Sequence, residues 1–439
     1  MAICQHNLLP INIQSYSLIM SLAIWLPLTE DFGNQGLQYT TFSKPSGADA
    51  AINASGKIGK CHTSTSGGII SSKTINTGVN ISMFAWIKPS STPSYQGICG
   101  QYRGNPTGTT ASSTSTGACL GLSGYAIKAV LNGSVVTSSN VISTLNIWYH
   151  VGFTYSAATK TVTLYFNGAA VKDASINGYT ATNDFVVAFN GAFSGGAGST
   201  TLYSSPFKGA LNDVRIYDHC CSAKEVKEMS LGIVLHYKFD DEVIMRSTMY
   251  DCSGYRNNGT ITGTLTSSTD AGRYSRSLLF PNTTVNSNYI AVNTAGNFCP
   301  ALTGCTIAWW GKTNSIRSLL LTGQSGSYYV AASSSTMYNE NAGSPITYYV
   351  DGVRQNSAPS YIAGSWHHYV LTNVNISSWT QMYINRYSTT STDWCVNGYL
   401  NDLRIYSTVL SEADVKSLYS TVAAVDDKGA FHTFEFKEV

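Results

Sequence analysis

Gly209-Ala-Leu-Asn-Asp-Val-Arg-Ile-Tyr217 returns 189 residues later as Gly398-Tyr-Leu-Asn-Asp-Leu-Arg-Ile-Tyr406. The same spacing carries Ser222-Ala-Lys-Glu-Val226 onto Ser411-Glu-Ala-Asp-Val415. Upstream, Trp148-Tyr-His150 recurs as Trp366-His-His368, and Tyr165-Phe-Asn167 as Tyr383-Ile-Asn385. Asn132-Gly133 matches Asp351-Gly352, Trp86 matches Trp310, and Trp25-Leu-Pro-Leu28 matches His236-Tyr-Lys-Phe239. All matches keep one order, so the chain is expected to fold twice on one plan. The boundaries fall at residues 20–231 and 232–421, with 1–19 as an N-terminal arm or start-site extension and 422–439 as a C-terminal strand. The spacing drifts where one copy has gained or lost a loop. The second copy gains residues in Asp240 to Gly259 and loses them between Asn385 and Gly398, so it is expected to lack the strand that Asp184 to Asn190 gives the first.

Within each copy the signal is β. Thr161-Val-Thr-Leu-Tyr-Phe166 runs into Asn167-Gly168, Val130-Leu131 into Asn132-Gly133, and Tyr348-Tyr-Val350 into Asp351-Gly352. Asn-Gly and Asp-Gly adopt the positive φ that two-residue hairpins require. Helical signals are confined to Ala223 to Met229, capped by Ser222, and Glu412 to Tyr419, capped by Ser411. The fold class is therefore all-β: two tandem β-sandwiches of jelly-roll type, each with one short helix after its last strand.

Composition narrows the function. Charged residues are only 11% of the chain and the formal charge is +2, too balanced for a protein that coats nucleic acid. No apolar run is long enough for a membrane helix. The stretch from Leu18 to Leu28 has no preceding basic residue or following cleavage site, so secretion by a signal peptide is not expected. The ten cysteines include no CxxC pair. They are expected to be mostly free and packed as small apolar residues in a reducing compartment.

The repeated motifs resemble the laminin-G-like jelly roll of the concanavalin A-like lectin/glucanase superfamily. The first copy supplies Trp148-Tyr-His-Val151, Leu164-Tyr-Phe-Asn-Gly168 and Gly209 to Tyr217. The second supplies Asp251-Cys-Ser-Gly254, Trp366-His-His368, Gly398 to Tyr406 and Leu410-Ser411, and departs at Arg386, where the family has glycine. The resemblance implies that Asp213 and Asp402, with Asp251 as a further candidate, sit where family members hold structural calcium. The alternative is that each aspartate bonds backbone amides or pairs with Arg215 or Arg404. Glucanases of the superfamily use two nearby carboxylates. The closest spacings are Asp240 with Glu242 and Glu412 with Asp414, and neither pair recurs in the other copy. The chain therefore reads as non-enzymatic, with glycoside hydrolysis as the third-ranked function.

His150 and His368 recur at one place without a second ligand nearby and read as core histidines, as do the recurring tryptophans. Sugar contact is better sought among unrepeated aromatics: Trp379, Trp394, Tyr328 and Tyr329. The alternative for these rings is packing. A softer resemblance, carried by Met20-Ser-Leu-Ala-Ile-Trp25 and the terminal Gly429-Ala-Phe to Glu435-Phe436 segment, is to bacteriophage virion proteins. It implies a fibre or head-decoration protein made in the bacterial cytoplasm, binding host-surface carbohydrate and joined through its terminal segments to other virion proteins or further copies of itself. The runner-up is a bacterial surface or secreted adhesin.

Overall fold

The computed structural model describes residues 22–29, 31, 33–38, 40–43, 51–53, 56–64, 68–74, 78–103, 116–179, 186–189, 207–239, 244–245, 247–269, 276–281, 287–314, 318–324, 328–333, 336–340, 342, 345–386 and 397–422. The chain divides into two compact units, with the boundary between Ser230 and Leu231 and with Lys57–Gly59 counted in the second. The expected arm at 1–19 and the C-terminal segment after Val422 lie outside the described residues. No helix among the described residues is long and apolar enough to cross a membrane.

Two antiparallel sheets form the first unit. One runs in the order Ala169–Ser175, Thr161–Phe166, Tyr149–Ser156, Ile81–Pro89, Gly209–Tyr217, Cys61–Ser64, Ala51–Asn53, with Leu22–Leu26 also paired to Gly209–Tyr217. The other runs Ser134–Asn140, Ala126–Leu131, Thr116–Ser123, Gln96–Arg103, Val186–Phe189, Ile69–Thr74, Phe42–Ser43. Side chains alternate across a strand, so Ile81, Met83, Ala85 and Ile87 share one face and meet Ile98, Leu120, Ile127 and Ala129 of the other sheet in a common core. Phe84 and Trp86 point the opposite way, where His150 packs against both rings at 5.6 and 5.3 Å. The helix Ala223–Ser230 closes over this face, and the Tyr217 hydroxyl donates to the Met229 sulfur at 3.1 Å.

The second unit repeats the framework. Its first sheet runs Thr266–Ser268, Ser277–Phe280, Gly398–Tyr406, Cys305–Thr313, His367–Val374, Thr347–Val350, Val353–Arg354, with Ile233–Tyr237 also paired to Gly398–Tyr406. His368 stacks on Trp310 at 4.9 Å, and Tyr419 of the helix Glu412–Val422 stacks on Trp310 at 5.7 Å. Backbone geometry repeats as faithfully. Leu28 and Phe239 both take positive φ (58° and 61°), as do Asp213 and Asp402 (50° and 51°). Gly209 and Gly398 sit at φ 145° and 149°, where a Cβ would fall 2.1 Å from the carbonyl oxygens of Lys88 and Lys312. Only glycine fits a strand there.

Two expected matches are overturned. The Asn167 amide donates to the His150 carbonyl while Asn167 Oδ1 accepts from the His150 amide. In the second unit the residue that makes both bonds with His368 is Asp351, so Asp351-Gly352 is the counterpart of Asn167-Gly168 and not of Asn132-Gly133. The hairpin follows its partner strand in the first unit and precedes it in the second. Tyr383–Ile384, expected to match Tyr165-Phe166, lies instead in the other sheet, whose order is Ile244–Met245, Thr248–Met249, Gly259–Thr262, Tyr289–Val292, Tyr383–Ile384, Ser318–Thr322, Tyr329–Ser333, Met337–Glu340. There it takes the place of Val186–Phe189. The strand expected to be missing is present in shorter form.

Eight described cysteines are in no disulfide, and Cys61, Cys99, Cys119, Cys221, Cys299 and Cys305 are buried. Burial pushes their thiols up, Cys61 to about 11 and Cys119 to about 12.

Candidate functional site

Asp213 and Asp402 lie at the same bend of the repeated final strand, and both are buried. Asp213 Oδ1 accepts from Trp25 Nε1 at 2.6 Å and from Arg215 Nε at 2.9 Å, and the Arg215 guanidinium lies 4.8 Å from the Trp25 ring centre. Asp402 Oδ1 meets His236 Nε2 at 2.8 Å and Arg404 Nε at 2.8 Å. Burial alone would raise the Asp402 carboxyl, but Arg404 and His236 together hold it well below the usual carboxylate range. An ionised carboxylate only accepts, so His236 donates from Nε2 where the first unit uses an indole.

The neighbouring carbonyls are also taken. Pro27 O accepts from the Asp213 amide and from Asn212 Nδ2, and Lys238 O from the Asp402 amide and Asn401 Nδ2. Asp251 accepts from the amides of His236, Ser253 and Asn257 and from the Ser253 hydroxyl, at 2.6 to 2.9 Å. Calcium needs six to eight free oxygens. Oδ1 of Asp213 and of Asp402, both Asp251 oxygens and the carbonyls of Pro27 and Lys238 are engaged by N–H and O–H donors, the arrangement of an ion pair and a loop clasp.

The aromatic residues fare differently. Trp379 is completely buried, against Gly323, and so presents no face to a sugar; the expectation of a platform at this position is corrected. Trp394 lies outside the described residues. Tyr328 is half-buried at the end of a loop, its carbonyl accepting from the Gly323 amide. Tyr329 is 8% exposed and stands on a strand. Register places it in one row with Thr322, Tyr383 and Ala291. The adjacent row, Ile290, Ile384 and Leu321, is fully buried. Strand alternation therefore puts the tyrosines on the face opposite that row, together with Tyr289.

Tyr289 and Tyr383 meet edge to face at 5.8 Å, and the Arg386 guanidinium lies 4.8 and 4.4 Å from their ring centres. All three are half-buried. The Tyr383 hydroxyl donates to Gln381 Oε1 at 2.9 Å, and the Thr322 hydroxyl fixes the Arg386 carbonyl. A stacked guanidinium keeps its N–H groups at the rim, where they can donate to hydroxyl or carboxylate oxygens. Tyr289 carries no sequence signal of its own, and Tyr383 belongs to a triplet that matches Tyr165-Phe-Asn167. The departure from glycine at Arg386 was the one available signal. The corresponding row of the first unit holds Gly100, Cys119 and Val130, with Cys119 and Val130 packed against Val135. On that face the Tyr95 hydroxyl lies 3.7 Å from Cys119 Sγ, and the Lys128 ammonium lies 5.2 Å from the Tyr95 ring centre.

Asp240 and Glu242 lie outside the described residues. Asp414 Oδ2 accepts from the Ser411 hydroxyl at 2.7 Å, which engages it as a helix cap beside exposed Glu412.

A family model described as Concanavalin A-like lectin/glucanases superfamily matches residues 63–227. No curated protein matches the chain. Among solved structures, domain 4 of AbnA, an extracellular arabinanase from Geobacillus stearothermophilus in complex with arabinotriose, is 17% identical with a TM-score of 0.36, covering 48% of this chain and 98% of that one. The sialidase CBM40 of Ruminococcus gnavus bound to α2,3 sialyllactose is 12% identical with a TM-score of 0.29, covering 35% and 84%. A putative carbohydrate binding protein from Bacteroides ovatus is 17% identical with a TM-score of 0.28, covering 50% and 54%. At these scores the likenesses carry no argument about function.

Proposed function

We propose that the chain is a non-enzymatic carbohydrate-binding structural protein of a bacteriophage particle, and that glycan lands on the tyrosine–arginine face of the second unit. The observation that carries the binding is the Tyr289–Tyr383–Arg386 cluster on the non-core side of the sheet. Aromatic rings offer sugars a broad apolar contact at little entropic cost, and the guanidinium supplies directional donors. The superfamily match to residues 63–227 supports a lectin-type module. Low charge and the resemblance of the terminal segments support display on a virion, with those segments joining other virion proteins.

Glycan-array screening followed by calorimetry tests the site. Tyr383→Ala and Arg386→Gly should each weaken binding by about 1–3 kcal/mol with the melting temperature unchanged. Full affinity in both variants would rule out this face. Immunogold microscopy of a producing culture tests the setting: label on particles supports a virion component, and label on cell envelopes alone would favour the adhesin.

A further inference from the structure

The turn between Gly209–Tyr217 and Ala223–Ser230 gathers His219, Cys221 and Glu225, with one ligand-type atom of each within 4.8 Å of the others. His219 Nε2 lies 3.3 Å from Glu225 Oε1. That is about the tetrahedral edge, ~3.3 Å, expected for nitrogen and oxygen ligands ~2.0–2.1 Å from zinc. Cys221 is buried, while the His219 and Glu225 side chains are 29% and 22% exposed. The cluster thus has a buried sulfur and an open side by which an ion and a water can enter. Tyr217 holds the His219 ring edge-on at 5.3 Å, and His219 Nδ1 is buried with no hydrogen-bond partner among the described residues.

Local folding needs only part of this set. The Ser222 amide and hydroxyl donate to Glu225 Oε2 at 2.6 and 2.8 Å, and the Glu225 amide returns a bond to Ser222, which is a complete capping box. Oε1 takes no part in it. The second unit builds the same turn without the other two ligands. Ser82 Oγ accepts from the Cys221 amide and donates to the His219 carbonyl; Thr306 Oγ1 does the same for Leu410 and Thr408. Ser411 and Asp414 make the cap there. So Thr408 and Leu410 stand where the first unit has His219 and Cys221, and the turn itself demands neither imidazole nor thiol.

We propose that His219, Cys221 and Glu225 form a zinc site with an imidazole nitrogen, a thiolate and a carboxylate as ligands and water in the fourth position. A mixed sulfur and nitrogen donor set selects zinc over calcium or magnesium. On binding, the Zn–S bond forms as the Cys221 S–H bond breaks, and the proton leaves to solvent. Burial pushes the free thiol up, so the ion must displace that proton and affinity falls as pH drops. Neutral His219 ligates through its unprotonated ring nitrogen, so the ion replaces the contact between Nε2 and Glu225 Oε1.

Cobalt(II) serves as the spectroscopic probe, titrated into the reduced, metal-free full chain. One equivalent should give a thiolate-to-cobalt charge-transfer band and the visible bands of a tetrahedral site, and zinc should bleach both. Cys221→Leu and His219→Thr import the second unit's own residues. Each should abolish the bands with the melting temperature of the metal-free chain unchanged. No thiolate band in the parent chain, or a band undiminished in both variants, would overturn the site. Should Cys221→Leu unfold, the half-exposed His219→Thr variant decides alone.

Discussion

At the scale of single residues, the repeated bend at Asp213 and Asp402 combines a positive φ with a buried ion pair, and the two demands can be separated. Asparagine tolerates the left-handed conformation that aspartate holds at φ 50°. Asp213→Asn therefore keeps the backbone and removes the charge, leaving Arg215 without its carboxylate. It should cost about 1.5–3 kcal/mol in urea unfolding, and Asp213→Ala more, because alanine adds the strain of the bend. His150 gives a pH signature. Burial among Phe84 and Trp86 pushes its imidazole down to about 3, against ~6.5 in the unfolded chain. A base whose folded value is depressed is neutral in both states above ~6.5, so no stability is lost there. As pH falls from ~6.5 toward 3 the unfolded chain takes up the proton first, and stability drops by up to ~1.4 kcal/mol per pH unit. Unfolding midpoints measured between pH 7 and 4 should fall less steeply in His150→Phe, which can still stack on Phe84. An unchanged slope would show that this histidine is not held neutral.

At the scale of elements, the moved hairpin shows what a sequence repeat can and cannot convey. Final strands, helix caps and central tryptophan strands were legible because each carries a geometric demand that few residues meet: a glycine at φ near 145°, an aspartate at φ 50°, a serine followed by an acid three residues on. Asn-Gly and Asp-Gly are local signals; they announce a tight turn without saying which strand it borders. Tyr383-Ile-Asn385 copies the alternation of Tyr165-Phe-Asn167, which hid its place in the opposite sheet. The same mimicry conceals the candidate binding face, since a tyrosine at a repeated position reads as core. Trp379 misled in the other direction: its position suggested an exposed turn, and packing around Gly323 buries it. The two hairpins make the correspondence testable. Gly168 has φ 82° and a Cβ there would fall 2.2 Å from Ser230 Oγ of the helix; at Gly352, with φ 76°, the nearest atom is Tyr419 Cβ at 3.1 Å. Alanine at either position should destabilise its unit by about 1–3 kcal/mol, with Gly168→Ala the costlier in thermal unfolding.

At the scale of the whole molecule, each unit has its own paired sheets and its own helix sealing a tryptophan–histidine or phenylalanine–histidine face. A chain beginning at Leu231 should therefore fold alone, giving dispersed amide resonances and a cooperative melt; a collapsed, unstructured product would show that the second unit depends on the first. Shared architecture has left each copy free to specialise, the second in an aromatic face and the first in a His–Cys–Glu turn. The pairing of the first strand with the last has a further consequence for synthesis. Trp25 finds its carboxylate 188 residues downstream, and the partner strand of Leu22–Leu26 is Gly209–Tyr217. At ~5–20 residues per second, a ribosome takes about 10–40 s to deliver that partner. Throughout this interval the apolar opening segment has no sheet to join. Nascent chains stalled before Gly209 should thus be sticky and protease-sensitive, and release of the final strand should be the event that makes the first unit soluble.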